Sequence, residues 1–317
     1  MKLLFFAALG YFCVYIGKMY KYSDDLEHLC GCGLDIGGTL TKIAIARPGE
    51  ELVLTFLKNY SCEEVLDHVI NLGVQFCGVT GRGASEFRHR ARCRRSEAKE
   101  EHIPQVFGVN EFVAWGAGAS KLLPGSSGVE LPYILGSVGT GTSLLFVNGV
   151  SISRVGGSAL GGGTILGLGR ALIPGSSFEE VCLLAQKGKR SGVDLLLKDI
   201  YPPGQVGIAD NITASNFGRL AGDCEIERPS DADIMAGIMG MVGENIALIA
   251  AGMMNQCRTH TIVYAGSTLR NNPVLRAVLV RAGALLNHRA VILERGEFSG
   301  AVGAYQLGLS NWSLNQF

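Results

Sequence analysis

The chain has 317 residues, 28 acidic and 28 basic side chains, and a hydrophobic fraction of 47%. This length allows one or two domains with a large core, and the neutral balance argues against nucleic acid as a partner, since basic surfaces bind phosphate backbones. The 44 glycines cluster in short loops between apolar segments, which is typical of α/β proteins that hold a ligand close to the backbone.

The first 30 residues differ from the rest of the chain. Residues 3–16 are an apolar run that is short for a membrane span and close in length to a signal-peptide core. Three interpretations stay open: a membrane anchor or signal, a buried extra helix, or an extension that precedes the first domain. The nine cysteines are scattered and form no pair of CxxC motifs, so we expect reduced, mostly buried thiols and a cytoplasmic protein. Membrane association is expected only through residues 3–16.

From Gly31 the pattern becomes strand-like. Residues 34–36, 40–46 and 52–56 predict three antiparallel strands. A helix at 62–72, a strand at 74–80 that ends in the turn GRG, and a helix at 110–122 follow. A charged stretch lies between them, with six arginines from Arg82 to Arg95. It is either a solvated loop or helix face, which we favour, or a phosphate-contacting patch.

The second half repeats this order. After PGSSG at 124–128, residues 132–149 predict a strand, a glycine–threonine turn and a strand, and residues 151–155 predict a third strand. SFEE and SDAD have the capping-box form ahead of two helices, the second of which runs to Cys257. A strand, a helix, a strand and a closing helix complete the chain. We therefore predict an extension at 1–30 and two lobes at 31–128 and 129–317.

Each half opens with a hairpin whose turn carries glycine and threonine. Such a turn exposes backbone N–H groups to an anion, because no side chain blocks close approach. One glycine hairpin is weak evidence, since hairpins use glycine anyway. Two such turns at equivalent points of the two halves predict that both turns contact one polyphosphate, each from its own side. The residues concerned are Gly37, Gly38 and Thr39 in the first turn and Gly139, Thr140, Gly141 and Thr142 in the second.

Two charged residues flank the first turn. Asp35 ends the first strand, where a carboxylate can hold Mg²⁺, directly or through water, against nucleotide phosphates. Lys42 follows Thr39 by three residues and can lend positive charge. The alternatives are a turn-capping aspartate and a solvent-facing lysine. The motifs GxxxxGK[ST], GxGxxG opening a helix, HExxH and GxSxG are absent from the sequence, which disfavours P-loop, dinucleotide-binding, metalloprotease and hydrolase functions.

Several segments follow one another in a characteristic order from Gly33 onward. They include LDIGGTLTK, VTGRGA, NEFVAWGAG, PYILGSVGTGTSLL, SRVGGSALGGGTILGL, LLLKDIY, GIADNITASNFG, IVYAGSTLRNNPVL and FSGAVGAYQLG. Together these segments resemble the type II (eukaryotic-like) pantothenate kinases, of the actin/hexokinase/Hsp70 superfamily, and the loop motifs discriminate better than the first turn, which sugar kinases share. The resemblance implies an α/β fold of duplicated actin-like (ribonuclease H-like) domains with a cleft between two lobes.

The resemblance also implies an activity and roles for residues. The activity is ATP- and Mg²⁺-dependent phosphorylation of pantothenate to 4'-phosphopantothenate, the entry to coenzyme A synthesis. Glu111 matches the general base and Arg154 an active-site arginine; their alternatives are an exposed first-turn acid and a salt-bridged strand end. The implied nucleotide or coenzyme A segments are Gly161, Gly162, Gly163 and Thr164 at a helix start, and Gly266 and Ser267, for which an ordinary strand-to-helix loop is the alternative.

Some expectations stay open at this point. Family members are usually homodimers, and the long helix at 231–257 is either an interface or, as we favour, core packing. Arg82 stands where the family often has a small residue, and it either adds a phosphate contact or crowds the backbone. Inhibition by coenzyme A or acyl-CoA is not decided. A sugar (N-acetylhexosamine-type) kinase and a catalytically silent acyl-CoA sensor are the alternative functions.

Overall fold

The structure is a computed structural model that describes residues 30–38, 40–97, 102–202, 205, 212–222 and 228–315. The apolar segment 3–16 and Thr39 lie outside these described residues. Within them, the predicted helices and strands occur in the predicted order, and the short strands Gln105–Gly108, Leu195–Leu196 and Thr213–Ser215 are additions that the sequence analysis does not predict. The helices are α1 (Cys62–Asn71), α2 (Ala84–Glu97), α3 (Glu111–Leu122), α4 (Gly162–Leu172), α5 (Phe178–Lys187), α6 (Leu197–Ile200), α7 (Asp231–Cys257), α8 (Pro273–Leu285) and α9 (Ser299–Leu314).

The first sheet has five strands: β1 (Gly31–Ile36), β2 (Leu40–Ala46), β3 (Val53–Lys58), β4 (Phe76–Thr80) and β5 (Gln105–Gly108). Their spatial order is β3-β2-β1-β4-β5. The first three strands are antiparallel, as predicted, and β4 and β5 run parallel to β1. The carboxyl ends of β1 and β4 therefore lie side by side at one edge of the sheet.

The second sheet repeats this arrangement. It contains β6 (Tyr133–Val138), β7 (Thr142–Asn148), β8 (Ser151–Ser158), β11 (Thr261–Ala265) and β12 (Arg289–Ile292), in the order β12-β11-β6-β7-β8. In both sheets the first strand in the chain is central, flanked by its second on one side and its fourth on the other. The predicted duplication is thus visible in the topology. Two short strands, β9 (Leu195–Leu196) and β10 (Thr213–Ser215), form a separate antiparallel pair.

The chain divides into two compact units. The first comprises residues 1–135, 145–155 and 293–317, and the second comprises residues 136–144 and 156–292. This division differs from the predicted lobes 31–128 and 129–317, because α9, at the end of the chain, packs on β1, β2, β4 and β5 of the first sheet. The closing helix therefore belongs with the N-terminal elements.

In the first unit, α9 packs closely through small residues. A Cβ on Gly118 of α3 would overlap the Ser299 carbonyl oxygen, and a Cβ on Gly303 would overlap the Ala114 carbonyl oxygen. Gly33 of β1 likewise faces the α9 backbone with no room for a side chain. These glycines let backbones approach to a distance that only a missing Cβ permits.

On the opposite face of the first sheet, α1 and α2 cover an apolar cluster that includes Val65, Leu66 and Phe87. The arginine-rich stretch forms most of α2. Arg90 pairs with Glu86 and Glu63, and Arg94 pairs with Glu63 and Asp67. These pairs agree with the solvated helix face that we favoured over a phosphate-contacting patch.

In the second unit, α7 is the central helix. Ser230 caps its first turn by accepting from the Asp233 N–H, and the helix packs against α4, α5 and α8. Among the described helices it is the one long and apolar enough to cross a membrane, by length and composition alone. Since 72% of its most apolar window is buried within the protein, core packing accounts for that composition, as the sequence interpretation favoured.

Candidate active site

The β1–β2 hairpin of the first unit holds the first predicted charge pair. Asp35 and Lys42 are directly opposite in the strand register, and Lys42 Nζ lies 3.2 Å from Asp35 Oδ2. The Lys42 side chain is 15% exposed and the Asp35 side chain is 8% exposed. The alternative of a solvent-facing Lys42 is therefore wrong, because the hairpin turns its ammonium toward the buried carboxylate.

Two glycines that sequence reasoning did not assign to the site surround Asp35. A Cβ on Gly81 would lie 2.7 Å from Asp35 Oδ1, and a Cβ on Gly300 would lie 2.8 Å from Asp35 Oδ2. Gly81 also has a φ of +87°, which favours glycine. Gly300 is the second residue of α9, and a helix N-terminus favours a negative charge nearby. The small residues that open α9, SGA, were the available signal.

The carboxyl end of β4 positions the predicted base, Glu111. Thr80 is opposite Asp35 in the parallel register, and its Oγ1 donates to the Val109 carbonyl oxygen at 3.2 Å. Asn110 then caps α3 by accepting from the Phe112 and Val113 N–H groups. Glu111 follows as the first residue of this helix. The register of two parallel strands and one helix cap thus bring the base near the Asp35–Lys42 pair.

The electrostatics of Glu111 reflect that position. Burial raises the pKa of Glu111, the negative charge of Asp35 raises it further, and Lys42 lowers it. Desolvation and a like charge both favour the neutral carboxyl form. A perturbed carboxyl group beside a second carboxylate is a typical feature of functional sites. The three residues therefore interact electrostatically within the first unit.

Arg154 lies on β8 and is exposed. Side chains two apart on a strand share a face, so Arg154 lies on the same face as Ile152. A Cβ on Gly116 of α3 would lie 2.7 Å from Ile152, which shows that this strand face contacts α3. The structure therefore places Arg154 on the strand that packs against the helix of Glu111.

In the second unit, three predicted nucleotide segments come together. The Gly162 and Gly163 N–H groups at the start of α4 donate to the carbonyl oxygens of Gly139 and Thr140 at 2.8 and 3.0 Å. A Cβ on Gly161 would lie 2.7 Å from the Thr140 carbonyl oxygen. The glycines of this loop thus allow close packing of a helix on the β6–β7 turn. Those two N–H groups are already used, so they are not free donors for an anion.

Threonine hydroxyls hold this group of segments in place. Thr142 Oγ1 donates to the Leu160 carbonyl oxygen at 2.8 Å, and Thr164 Oγ1 accepts from the Gly161 N–H at 3.3 Å. The predicted Gly266–Ser267 turn joins through its neighbour, since Thr268 Oγ1 donates to the Gly139 carbonyl oxygen at 2.8 Å. Sequence reasoning did not identify Thr268. Gly266 itself has a φ of +113°, which explains the glycine at that point.

The donor set for a metal is small. Among the residues that the structure describes, no group of three or more His, Cys, Asp or Glu side chains is placed to hold a metal ion. Asp35 supplies a single carboxylate. A single carboxylate is enough for Mg²⁺, because this ion is usually held by one or two carboxylates together with water and substrate phosphates.

Comparison with known proteins identifies the family. The Fumble family model matches residues 100–306. The type II pantothenate kinase of Bacillus cereus (strain G9842) is 35% identical over 275 residues, which cover 86% of this chain and 96% of that enzyme. The chain belongs to the type II pantothenate kinase family. A second relative, the type II pantothenate kinase of Staphylococcus epidermidis (strain ATCC 12228), is 34% identical over 87% of this chain and 99% of its own length.

Solved structures confirm the actin-like fold of this family member. The activator of a 2-hydroxyisocaproyl-CoA dehydratase from Clostridium difficile, with bound ADPNP, superposes with a TM-score of 0.56 at 15% identity, over 91% of this chain and 97% of its own. A ROK hexokinase from Thermus thermophilus gives a TM-score of 0.54 at 15% identity, over 89% and 99%. At these identities the likeness shows the α/β fold of the superfamily alone.

Proposed function

We propose that this chain transfers the γ-phosphoryl group of ATP to the primary hydroxyl of pantothenate and releases ADP and 4'-phosphopantothenate, the first step of coenzyme A biosynthesis. Curated type II pantothenate kinases at about 34–35% identity over most of the chain support this activity. Within the structure, the observation that carries this proposal is the position of Glu111 beside the Asp35–Lys42 pair. Burial and the negative charge of Asp35 both raise the pKa of Glu111.

Glu111 acts as the general base in this proposal. Its carboxylate accepts the proton of the substrate hydroxyl as that oxygen attacks the γ-phosphorus and the bond to the ADP oxygen breaks. A raised pKa suits a base that works near neutral pH, because proton transfer is most effective when the pKa of the base approaches the operating pH. Arg154, on the β8 face that contacts α3, binds the carboxylate of pantothenate or the developing phosphate charge.

The glycine turns of each unit are nucleotide-binding segments in this proposal. In the first unit, Gly37 and Gly38 bind phosphate and Lys42 adds positive charge. In the second unit, the β6–β7 turn, the start of α4 and the Gly266–Ser267 turn pack together as one nucleotide-binding group. Asp35 is the residue that would hold Mg²⁺, directly or through water, and the bound metal would supply positive charge against the phosphates. We further propose a cytoplasmic homodimer that coenzyme A or an acyl-CoA inhibits.

One experiment decides between this function and the alternatives. Purified chain is incubated with ATP and Mg²⁺ and with pantothenate or an N-acetylhexosamine as acceptor, while acyl-CoA binding is measured in parallel. We expect phosphate transfer to pantothenate and a reduced rate of that transfer in Asp35→Asn. Transfer to the sugar alone would support the sugar kinase. Tight acyl-CoA binding with no transfer to either acceptor would support the sensor, and both results would contradict our proposal.

A further inference from the structure

The turn at residues 81–83 is fixed against the end of β1. The Gly83 N–H donates to the Ile36 carbonyl oxygen at 3.1 Å, and Gly81 leaves no space for a Cβ beside Asp35. Arg82 lies between these two glycines and immediately before α2. Because both neighbours are held at the carboxyl end of β1, the Arg82 backbone has a defined position beside the β1–β2 turn.

The Arg82 side chain reaches that turn. Its Nη2 and Cζ atoms lie 3.0 and 3.4 Å from the position that a Cβ on Gly38 would occupy. The guanidinium therefore lies against Gly38, in the space that a side chain at this position would fill. On the other side of the turn, a Cβ on Gly37 would lie 3.6 Å from Lys42 Nζ. Two cations thus flank two adjacent glycines.

The two cations differ in their partners. Lys42 is paired with Asp35 at 3.2 Å, so that its charge is largely matched within the protein. No acidic side chain pairs with Arg82 in the part of the chain that the structure describes, whereas Arg90 and Arg94 of α2 each pair with carboxylates. Arg82 is exposed, and among the described residues no carboxylate matches its charge on the glycine turn.

We propose that Arg82 is a nucleotide-binding residue, whose guanidinium contacts a β- or γ-phosphate oxygen of ATP at the Gly37–Gly38 turn. A guanidinium suits this role because its planar donors match phosphate oxygens. The inference rests on the proposed function for the identity of the nucleotide. Of the two roles that the sequence leaves open for Arg82, a phosphate contact or crowding of the backbone, the proposal takes the first, because the guanidinium lies in the space beside Gly38 that no side chain fills.

The test compares dissociation constants of wild type and Arg82→Ala for ATP, ADP and AMP, measured without an acceptor. Loss of one charge-assisted hydrogen bond is expected to weaken ATP binding about tenfold and to leave AMP binding unchanged. ADP then shows which phosphate is contacted: weakening equal to that of ATP indicates the β-phosphate, and weakening of ATP alone indicates the γ-phosphate. Unchanged ATP binding, or equal weakening of AMP, would overturn the proposal.

Two variants sharpen this comparison. Arg82→Lys keeps the charge and should restore part of the affinity. Arg92→Ala removes an exposed charge from α2, away from the turn, and should bind ATP like wild type; a tenfold loss there would contradict a local contact.

The two proposals fail separately. If the wild type binds ATP and does not phosphorylate pantothenate, the proposed function is wrong, while the affinities for ATP and AMP still test Arg82. If pantothenate is phosphorylated and Arg82→Ala binds ATP as tightly as wild type, the role of Arg82 is wrong and the function stands.

Discussion

Asp35, near the end of β1, raises the pKa of Glu111 at the start of α3, and its carboxylate pairs with Lys42 at 3.2 Å. The site thus contains one carboxyl group in an ion pair and one that burial pushes toward the neutral form. Two carboxyl groups in different environments suit two tasks, an anionic ligand for metal or phosphate neighbours and a proton acceptor.

This relationship predicts opposite shifts in the pH profile of kcat/KM. A carboxylate base works when deprotonated, so activity falls as the pH drops through the pKa of Glu111. Asp35→Asn removes a charge that raises this pKa and should move the acid limb to lower pH. Lys42→Met removes a charge that lowers it and should move the acid limb to higher pH. Initial rates from pH 5 to 8 check this, and shifts in the same direction would contradict it.

The close packing of α3 and α9 predicts strong sensitivity to one methyl group. Gly118→Ala or Gly303→Ala would place a Cβ against a backbone carbonyl oxygen, which has no flexible end to move away. We expect each to destabilise the protein by at least ~2 kcal/mol. Gly252→Ala in α7 is the matched control, since nothing lies within 4 Å of its Cβ, and it should stabilise by about 0.5–1 kcal/mol. Urea denaturation measures all three, and equal effects would be inconsistent with this account.

A buried ion network in the second unit predicts a coupled effect. Arg190 pairs with Asp194 at 2.8 Å and with Glu244 at 2.7 Å, and the Asp194 side chain is fully buried. Asp194 also accepts from the Phe217 N–H at 2.9 Å. Arg190→Ala leaves that carboxylate without its cation and should cost about 3–5 kcal/mol.

The double variant Arg190→Ala/Asp194→Ala should be less destabilised than the sum of the two single variants, because the unmatched charge is gone. Arg228→Ala breaks an exposed pair with Asp231 and should change stability little. Additive losses in thermal or urea unfolding would show that the network is not coupled.

The loops that precede β11 and β12 predict a loss of stability in acid. His260 and His288 stack with ring centroids 6.3 Å apart, and the pKa of His288 is lowered by burial and by His260. The unfolded chain therefore binds a proton more readily than the folded chain between the lowered pKa and the ordinary value near 6.5. The contribution of neutral His288 to the free energy of unfolding is fully present above this pH window, and it falls as the pH drops through the window. His288→Gln should flatten this part of the curve of unfolding free energy against pH, and an unchanged slope would argue against it.

Most of the fold was predictable from local pattern. The strands β1, β2, β4 and β6 are short apolar segments bounded by glycine turns, and Ser61, Ser177 and Ser230 cap helices in forms that a sequence shows directly. The weak strands were not predicted. β5 and the β9–β10 pair have two to four residues each, and their pairing depends on neighbours that are distant in the chain.

Sequence motifs indicate the charged residues of the candidate site, and they do not indicate the residues that support them. Asp35, Lys42 and Glu111 were identified from motifs, and the structure joins them electrostatically. Gly81, Gly300 and Thr268 were missed because their role is to leave space or to hold a turn from another part of the chain. The division into units was missed for the same reason, since it depends on where α9 packs.

The most direct test of the central claim is phosphate transfer to pantothenate by wild type and Glu111→Gln, with ATP affinity measured on the same preparations. The substitution keeps the size of the side chain and removes the base. We predict that wild type forms 4'-phosphopantothenate, that kcat falls roughly 10²- to 10⁴-fold in Glu111→Gln, and that ATP binding is unchanged. Equal turnover by both proteins, or no transfer by a wild type that binds ATP, would contradict the account.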